Sequence, residues 1–284
     1  MIIIPCLLFT GCEDENNKPQ ELSSDLRNCL KVNTGDNTLD IVTWNVHDFP
    51  IKGKLTIDRL ASMVVGINAD IFAFQEIKTS EDFNKLMEIL PGYEGFIDIS
   101  SGQNLAFLLK KDEIKETGNI ESIFEDETYL FPRPPLVIPV TDKTGNQITL
   151  INIHLKCCEG AENEYRRQSA IENLKNYIDT SLADVKVILL GDFNDEINDA
   201  SGRNIFSVFI NDSLDFRIAD LQLAAGNSSD WSYPSWPSHL DHFIISNELY
   251  NYYYSVSCLK PDFCDSLYFS TISDHRPVLL QIKY

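Results

Sequence analysis

Basic side chains are scarce in this sequence: 284 residues carry 23 Lys plus Arg against 43 Asp plus Glu, a formal charge of −20. Proteins that coat nucleic acid, or that hold a membrane surface through a polybasic patch, use excess cations to displace counterions, so the composition argues against both. An acidic enzyme that recruits a divalent metal stays open. Also missing is any apolar run of the ~20 residues that a membrane-spanning helix needs. With 13 Gly and 12 Pro, the chain lacks the bias of fibrous or low-complexity proteins. There are seven Cys, but no CxxC pair with a nearby His at a spacing that would supply four zinc ligands. What is present, 43% hydrophobic and 11% aromatic residues, is the composition of a globular protein of one or two domains.

Residues 1–12, MIIIPCLLFTGC, form a short apolar run ending in small residues and a cysteine, before the chain turns polar with EDENNKPQ. The run resembles the end of a bacterial lipoprotein signal. That resemblance implies a lipidated Cys12 and a lipid-anchored protein of the bacterial cell envelope, periplasmic or surface-exposed; without the anchor the protein is expected to be secreted. Residues 13–38, rich in Asn, Asp, Glu and Ser, read as a polar tether leading to a domain over 39–284. If Cys6 is removed and Cys12 acylated, Cys29, Cys157, Cys158, Cys258 and Cys264 remain, and an odd number leaves one unpaired in a monomer. Cys258 and Cys264 are near enough in sequence to close a small loop, and Cys29 can staple the tether to Cys157 or Cys158.

From residue 39 onward, β-type and helical patterns interleave. LDIVTWNV (39–46) is β-branched and aromatic, residues 56–68 place Ile57, Leu60, Ala61 and Val64 on one helical face, and DIFAFQEI (70–77) reads as the next strand. Thr79 and Asp82 suit the entry of a helix with Phe83, Leu86, Met87 and Leu90 inward, stopped at Pro91 and Gly92. Strands are expected at 93–99, 104–111, 136–142 and 147–156, with a hairpin turn at 143–146. A helix over about 164–178 precedes the apolar strand VKVILLGDFND (185–195), and strands at 242–247 and 278–284 close the chain. There is no internal repeat. The pattern predicts an α/β domain of two packed sheets with helices outside.

A polar group recurs at the end of these apolar strands: Asn45, Glu76, His154, Asp192 with Asn194, and Asp274 with His275 just before the last strand. Strand ends are rigid and gather at one rim of a sheet, so residues remote in sequence can converge there.

The strings TWNV (43–46), FQE (74–76), NIHL (152–155), GDFND (191–195), LDHF (240–243) and SDHRPV (273–278), in this order, resemble those of the endonuclease/exonuclease/phosphatase (DNase I-like) superfamily. The resemblance covers the chain from residue 39 to its C-terminus and implies a four-layer α/β/β/α sandwich. It implies magnesium-dependent hydrolysis of phosphate esters, with manganese as a substitute, by in-line attack of water. A hard cation suits oxygen ligands: Glu76 is the primary metal ligand, with Asn45 beside it and Asp274 as a further ligand or outer partner. Asp192 orients and deprotonates the water, and Asn194 holds a phosphate oxygen. His275, paired with Asp241, stabilises charge on phosphorus. His154 faces the leaving group as general acid or hydrogen-bond donor, and its presence counts against the abasic-site endonuclease branch. Arg133, in FPRPPL, resembles the arginine that clamps a non-bridging oxygen.

His47 is left out of the metal site, and His239 and His242, which flank Asp241, are assigned structural roles, His242 facing away from Asp241. DWSYPSWPSHLD (230–241) offers Trp231, Tyr233 and Trp236 for stacking on substrate. PSW is similar to part of the inositol-phosphate 5-phosphatase signature, but Asp241 comes too late and is followed by His242, which disfavours that substrate. The expected partner is a phosphodiester, nucleic acid first and a sphingomyelin-type phospholipid second, with a phosphomonoester third; the membrane is touched only through the lipid anchor, and the protein is a monomer. An inactive surface binding module with the same fold is the rival from another class. It would be expected to have lost one of Glu76, His154, Asp192, Asn194, Asp241 or His275, and all six are present.

Overall fold

The computed structural model describes residues 23–30, 32, 37–198 and 204–283. Cys12 and the rest of the expected signal lie outside the described residues. The chain runs through helix α1 (Ser24–Cys29), strand β1 (Thr38–Phe49), α2 (Lys54–Ile67), β2 (Ile71–Ile77), α3 (Ser80–Ile89), β3 (Tyr93–Ile97) and β4 (Asn104–Lys110). Strands β5 (Ile114–Thr117), β6 (Glu121–Ser122), β7 (Leu136–Asp142) and β8 (Gln147–His154) follow, then the long helix α4 (Ala161–Ser181) and β9 (Val187–Asp192). The remainder comprises α5 (Ser207–Ile210), β10 (Phe216–Ile218), α6 (Leu221–Ala224), β11 (Asp241–Ser246), β12 (Tyr253–Cys258), α7 (Tyr268–Thr271) and β13 (Val278–Lys283). None of the described helices is long and apolar enough to cross a membrane.

Two mixed sheets form, ordered β12-β13-β1-β2-β4-β3 and β10-β11-β9-β8-β7-β5, with β6 also pairing β7. Strand β1 is parallel to β2 and β8 to β9. The period of two sorts the strand residues into three cores. Ile41, Ile71, Leu150, Leu190 and Phe243 pack between the sheets. Val42, Trp44, Phe72 and Phe74 turn to α2 and α3, while Ile151, Ile153 and Leu189 turn to Ile171, Leu174 and Ile178 of α4. Three cores separate four layers, and the fold is the expected α/β/β/α sandwich.

Local signals set the helix ends. Thr79 accepts the Asp82 N–H at 3.1 Å and starts α3, with Glu81 and Asp82 in its first turn. Asn68, in the left-handed region, ends α2. The hairpin at 143–146 forms around Asp142, whose carboxylate accepts from the backbone of Thr144 and Asn146.

Part of the segment expected as a tether is folded onto the domain. Ser23 caps α1, and Leu26 and Leu30 are buried in the core beside α2. The helices approach so closely at Gly66 that a Cβ there would collide with the Arg27 backbone. The cysteine pairing also differs from both expectations: Cys29 bonds Cys264, and Cys157, Cys158 and Cys258 are free thiols. The docking of α1 brings Cys29 to the loop after β12, a proximity that short sequence spacing could not show. Cross-linking residues 235 apart in sequence restrains the unfolded chain by about 5 kcal/mol in the chain-entropy account.

Candidate active site

The site lies at one rim of the sandwich, where β1, β2, β8 and β9 end and β11 begins. Strands β8 and β9 are in parallel register with Ile153 opposite Gly191 and His154 opposite Asp192. Gly191 has φ +144, and a Cβ on it would meet the Ile153 carbonyl. Glycine there lets β9 close on β8 and sets Asp192 beside His154, with Nε2 3.5 Å from the Asp192 carboxylate. Antiparallel pairing places Asp241 directly opposite Asp192. The register of β2 against β4 slips between Phe74 and Ile77, and Glu76 in that irregularity has φ 66. Such a bulge re-aims a side chain, and Glu76 comes to 3.1 Å from the Asn45 amide nitrogen. His47, Asp48 and Asn194 also have positive φ, so backbone conformations that L-residues seldom adopt gather at this rim, as they do at functional sites.

Asn45 is used as a bridge. Its Nδ2 donates to Glu76 Oε1 and, at 2.9 Å, to Asp192 Oδ2, while its Oδ1 accepts the His47 N–H. Two facing carboxylates require a donor between them, which is why the amide nitrogen, and not the oxygen, points into the site. The second Glu76 oxygen accepts the Asp48 N–H at 2.8 Å. Asp274 sits apart from this bridge and contacts His47 Nδ1 at 3.2 Å. Burial works against its charge, but His47 and the nearby His275 draw its carboxyl below the ordinary value.

His275 donates through Nδ1 to Asp241 at 2.8 Å, and its Nε2 lies 3.8 Å from Asp192. Burial opposes a charged imidazole, yet the carboxylates of Asp241 and Asp192 win and push it up to about 10, so the ring is an imidazolium at neutral pH. Its backbone is fixed by Ser273, whose hydroxyl accepts the His275 N–H and donates to the Asn45 carbonyl at 2.6 Å. For Asp192 burial dominates and raises the carboxyl to about 6, with His275 pulling the other way. Asn194 donates its backbone N–H to Asp192 Oδ1 and one amide hydrogen to the Leu155 carbonyl.

Arg133 is buried against His154, donating Nε–H to Nδ1 at 3.3 Å with Nη2 2.6 Å from Nε2. Burial and the adjacent guanidinium hold the His154 pKa well below its ordinary value. Both ring nitrogens thus face a guanidinium that can only donate, and Nε2 also lies 3.5 Å from Asp192 and 3.8 Å from Glu76.

The aromatic loop divides. The Tyr233 ring packs on His275 with centroids 4.8 Å apart, and Trp236 stands 74% exposed. Trp231 is half-buried, its carbonyl accepts from Arg276, and its indole N–H is buried without a partner. His242 faces away from Asp241: it and His239 both bond Asp220, at 2.6 and 3.0 Å.

Sequence reasoning did not single out Ser273, Gln75 or Asp220. Ser273 opens the SDHRPV string and carried a signal in its place beside Asp274. Gln75 bridges the two sheets beneath the site through Asn152 at 2.8 Å; its signal was a fully buried amide inside an apolar strand. Asp220, in RIADLQL, had none.

The endonuclease/exonuclease/phosphatase family model matches residues 42–275. No protein among those with curated descriptions matches the chain by sequence. Solved structures share the fold. D. rerio TDP2 complexed with single-strand DNA product superposes with a TM-score of 0.69 at 17% identity, covering 88% of this chain and 100% of that one. A family protein from Bacteroides thetaiotaomicron gives 0.63 at 18% identity, over 88% and 99% of the two chains. The human Nocturnin catalytic domain with bound sulfate gives 0.61 at 19% identity, over 88% and 94%.

Proposed function

Because the chain belongs to the endonuclease/exonuclease/phosphatase family, which groups hydrolases of phosphate esters, we propose that it is a magnesium-dependent phosphodiesterase acting on nucleic acid. The observation that carries this reading is the convergence of Glu76, His154, Asp192, Asp241 and His275 at one rim, with Arg133 behind them.

The donors fit a hard cation. Glu76 and Asp274 bring carboxylate oxygens, and the Asn45 amide offers its oxygen once it turns from the bridge it makes here. These three residues would hold Mg2+, or Mn2+ in its place. When bound, the ion supplies positive charge against the phosphoryl oxygens. Asp192, raised toward neutrality by burial, orients the attacking water and takes its proton. The His275 imidazolium, held by Asp241, stabilises the charge that builds on the phosphoryl group. His154 faces the leaving oxygen as general acid or hydrogen-bond donor, and Arg133 packs against its ring while its guanidinium reaches the phosphate. Asn194 holds a non-bridging oxygen with its remaining amide hydrogen. Tyr233 and Trp236 offer faces on which bases can stack.

A substrate panel with Mg2+ and Mn2+ tests the reading: plasmid and single-stranded DNA, RNA, sphingomyelin, bis(p-nitrophenyl) phosphate and inositol phosphates. Cleavage of nucleic acid that EDTA abolishes and Mg2+ restores is expected. Cleavage of sphingomyelin or of phosphomonoesters alone overturns the substrate class, and EDTA-resistant turnover overturns the role of Glu76. We further propose that Cys12 anchors the protein in the bacterial envelope as a monomer. Cys12→Ser is expected to move it from the membrane to the soluble fraction, and unchanged fractionation rejects the anchor.

A further inference from the structure

Residues Leu155 to Cys158 follow directly on His154 and lead toward α4. They hold two adjacent free thiols: Cys157 and Cys158, with Sγ atoms 2.8 Å apart, the second exposed to solvent. The Lys156 ammonium lies 3.4 Å from Cys157 Sγ. Cys158 has φ 79, a backbone conformation that L-residues seldom adopt. The surrounding carbonyls are engaged: Leu155 accepts from Asn194, while Lys156 and Cys158 both accept from Arg167, which in turn binds Asp195 at 2.8 Å.

We propose that Cys157 and Cys158 are a modification site, a vicinal dithiol that closes to a disulfide by exchange with an external disulfide. Two features set it apart from the other thiols. The sulfur atoms are already adjacent at 2.8 Å, and a pair with Cys158 exposed and Cys157 half-buried can be reached by a small or protein-borne disulfide. Cys258, by contrast, is deprived of reactivity because burial pushes its thiol up. For Cys157 burial acts in the same direction, but the Cys158 thiol and Lys156 overcome it and favour the thiolate. The chain already forms the Cys29–Cys264 disulfide, so conditions that oxidise its thiols are compatible with its fold.

The Cys157 thiolate attacks one sulfur of the external disulfide, forming a mixed disulfide and releasing one thiolate. Cys158, giving up its proton to solvent, then attacks Cys157 Sγ, forms the intramolecular bond and expels the second thiolate. Two electrons pass from the pair to the external disulfide, which leaves as two thiols. Closing the ring resets the peptide between Cys157 and Cys158, whose neighbouring carbonyls, Lys156 and Cys158, hold Arg167, in a segment whose Leu155 carbonyl, directly after His154, holds Asn194. A loss of hydrolysis is the consequence; this clause rests on the function proposed above.

The test keeps the two apart. The full chain is equilibrated across ratios of oxidised to reduced glutathione, denatured with N-ethylmaleimide, digested and mapped by mass. The peptide holding Cys157 and Cys158 is expected to lose two hydrogens and both maleimide labels as the buffer becomes oxidising, while Cys258 stays labelled. Cys157→Ser and Cys158→Ser are each expected to stop at a glutathione adduct on the remaining thiol. Double labelling at every ratio, adducts in the unsubstituted protein that never resolve, or bonds to Cys258 or to another copy would overturn the site. Hydrolysis of bis(p-nitrophenyl) phosphate by the oxidised form is expected to fall about tenfold, as small displacements at a site cause, and to return with dithiothreitol. Unchanged hydrolysis in a fully oxidised sample overturns the coupling to the site, and absent hydrolysis in both forms rejects the functional reading without touching the mass result.

Discussion

Asp241 and His242 are consecutive residues of β11, and each belongs to a separate buried cluster of carboxylates and imidazoles. Strand geometry sends them to opposite faces. On one face Asp241 joins His275 and Asp192; on the other, His242 joins His239 and Asp220. Among the described residues both sets place three potential metal-ligand atoms within 4.8 Å of one another. They differ in how completely their hydrogen bonds are used. In the first, Asp241 Oδ1 is buried with no partner, and His275 Nε2 has nothing nearer than Asp192 at 3.8 Å among the carboxylates it faces. In the second, Asp220 accepts from His239, His242 and the Phe243 N–H. His242 is flanked by two acceptors, the Asp220 carboxylate and the Asp195 carbonyl at 2.9 Å, so both its nitrogens carry protons. His239 Nδ1 accepts the Ser232 N–H at 3.3 Å, which leaves the proton on Nε2 and no lone pair there for a metal. The first cluster keeps capacity in reserve for a reactant, whereas the second is closed.

Substitutions should separate the two. Asp192→Ala or His275→Ala is expected to lower kcat by about 10³-fold or more, and Asp192→Ala to leave the melting temperature within a few degrees, measured by steady-state hydrolysis and calorimetry. Near-normal turnover would erase the distinction from the reactive side. Asp220→Ala is expected to do the reverse. It strands a buried imidazolium and removes three hydrogen bonds, costing about 3–5 kcal/mol in denaturant unfolding, while kcat of the folded fraction stays within about tenfold of wild type. A larger kcat loss at intact stability would place the second cluster in the chemistry.

This contrast also marks what could be read in advance. The rim residues were legible because each ends an apolar strand, where a buried polar group has no ordinary reason to be, and because the six strings occur in a familiar order. The layers followed from alternation in β1, β2, β8 and β9, whose two faces pack against different cores. Strands β5, β6, β10 and β12 left no such mark: β6 is two residues long, β10 three, and β12 is an edge strand with mixed polar residues. Connections across the fold were equally silent. Asp220 is a single carboxylate in an ordinary stretch until β10 and β11 pair, Gln75 meets Asn152 only when the sheets stack, and Cys29 finds Cys264 only after α1 docks. Each depends on three-dimensional proximity that local propensity does not encode.

The smallest expected effect is a pH dependence of stability, and it follows from the charge state of the closed cluster. Burial alone would neutralise Asp220, but His242 and His239 outweigh it and hold the Asp220 carboxyl far below the usual range. Its stabilising contribution is therefore complete above about pH 4, the unfolded value, and is lost as the pH falls toward the folded one. Burial likewise opposes charge on His242, yet Asp220 and the Asp195 carbonyl raise it above the ordinary imidazole value. That contribution is complete below about pH 6.5 and fades as the pH climbs through the raised value. The stability difference between wild type and Asp220→Asn should thus be greatest from about pH 4 to 6.5 and shrink on both sides. The comparison is made by urea unfolding at a series of pH values. A difference that is flat across the range would mean that the second cluster carries no ion pair, and that completeness of hydrogen bonding, without charge, is what distinguishes it from the first.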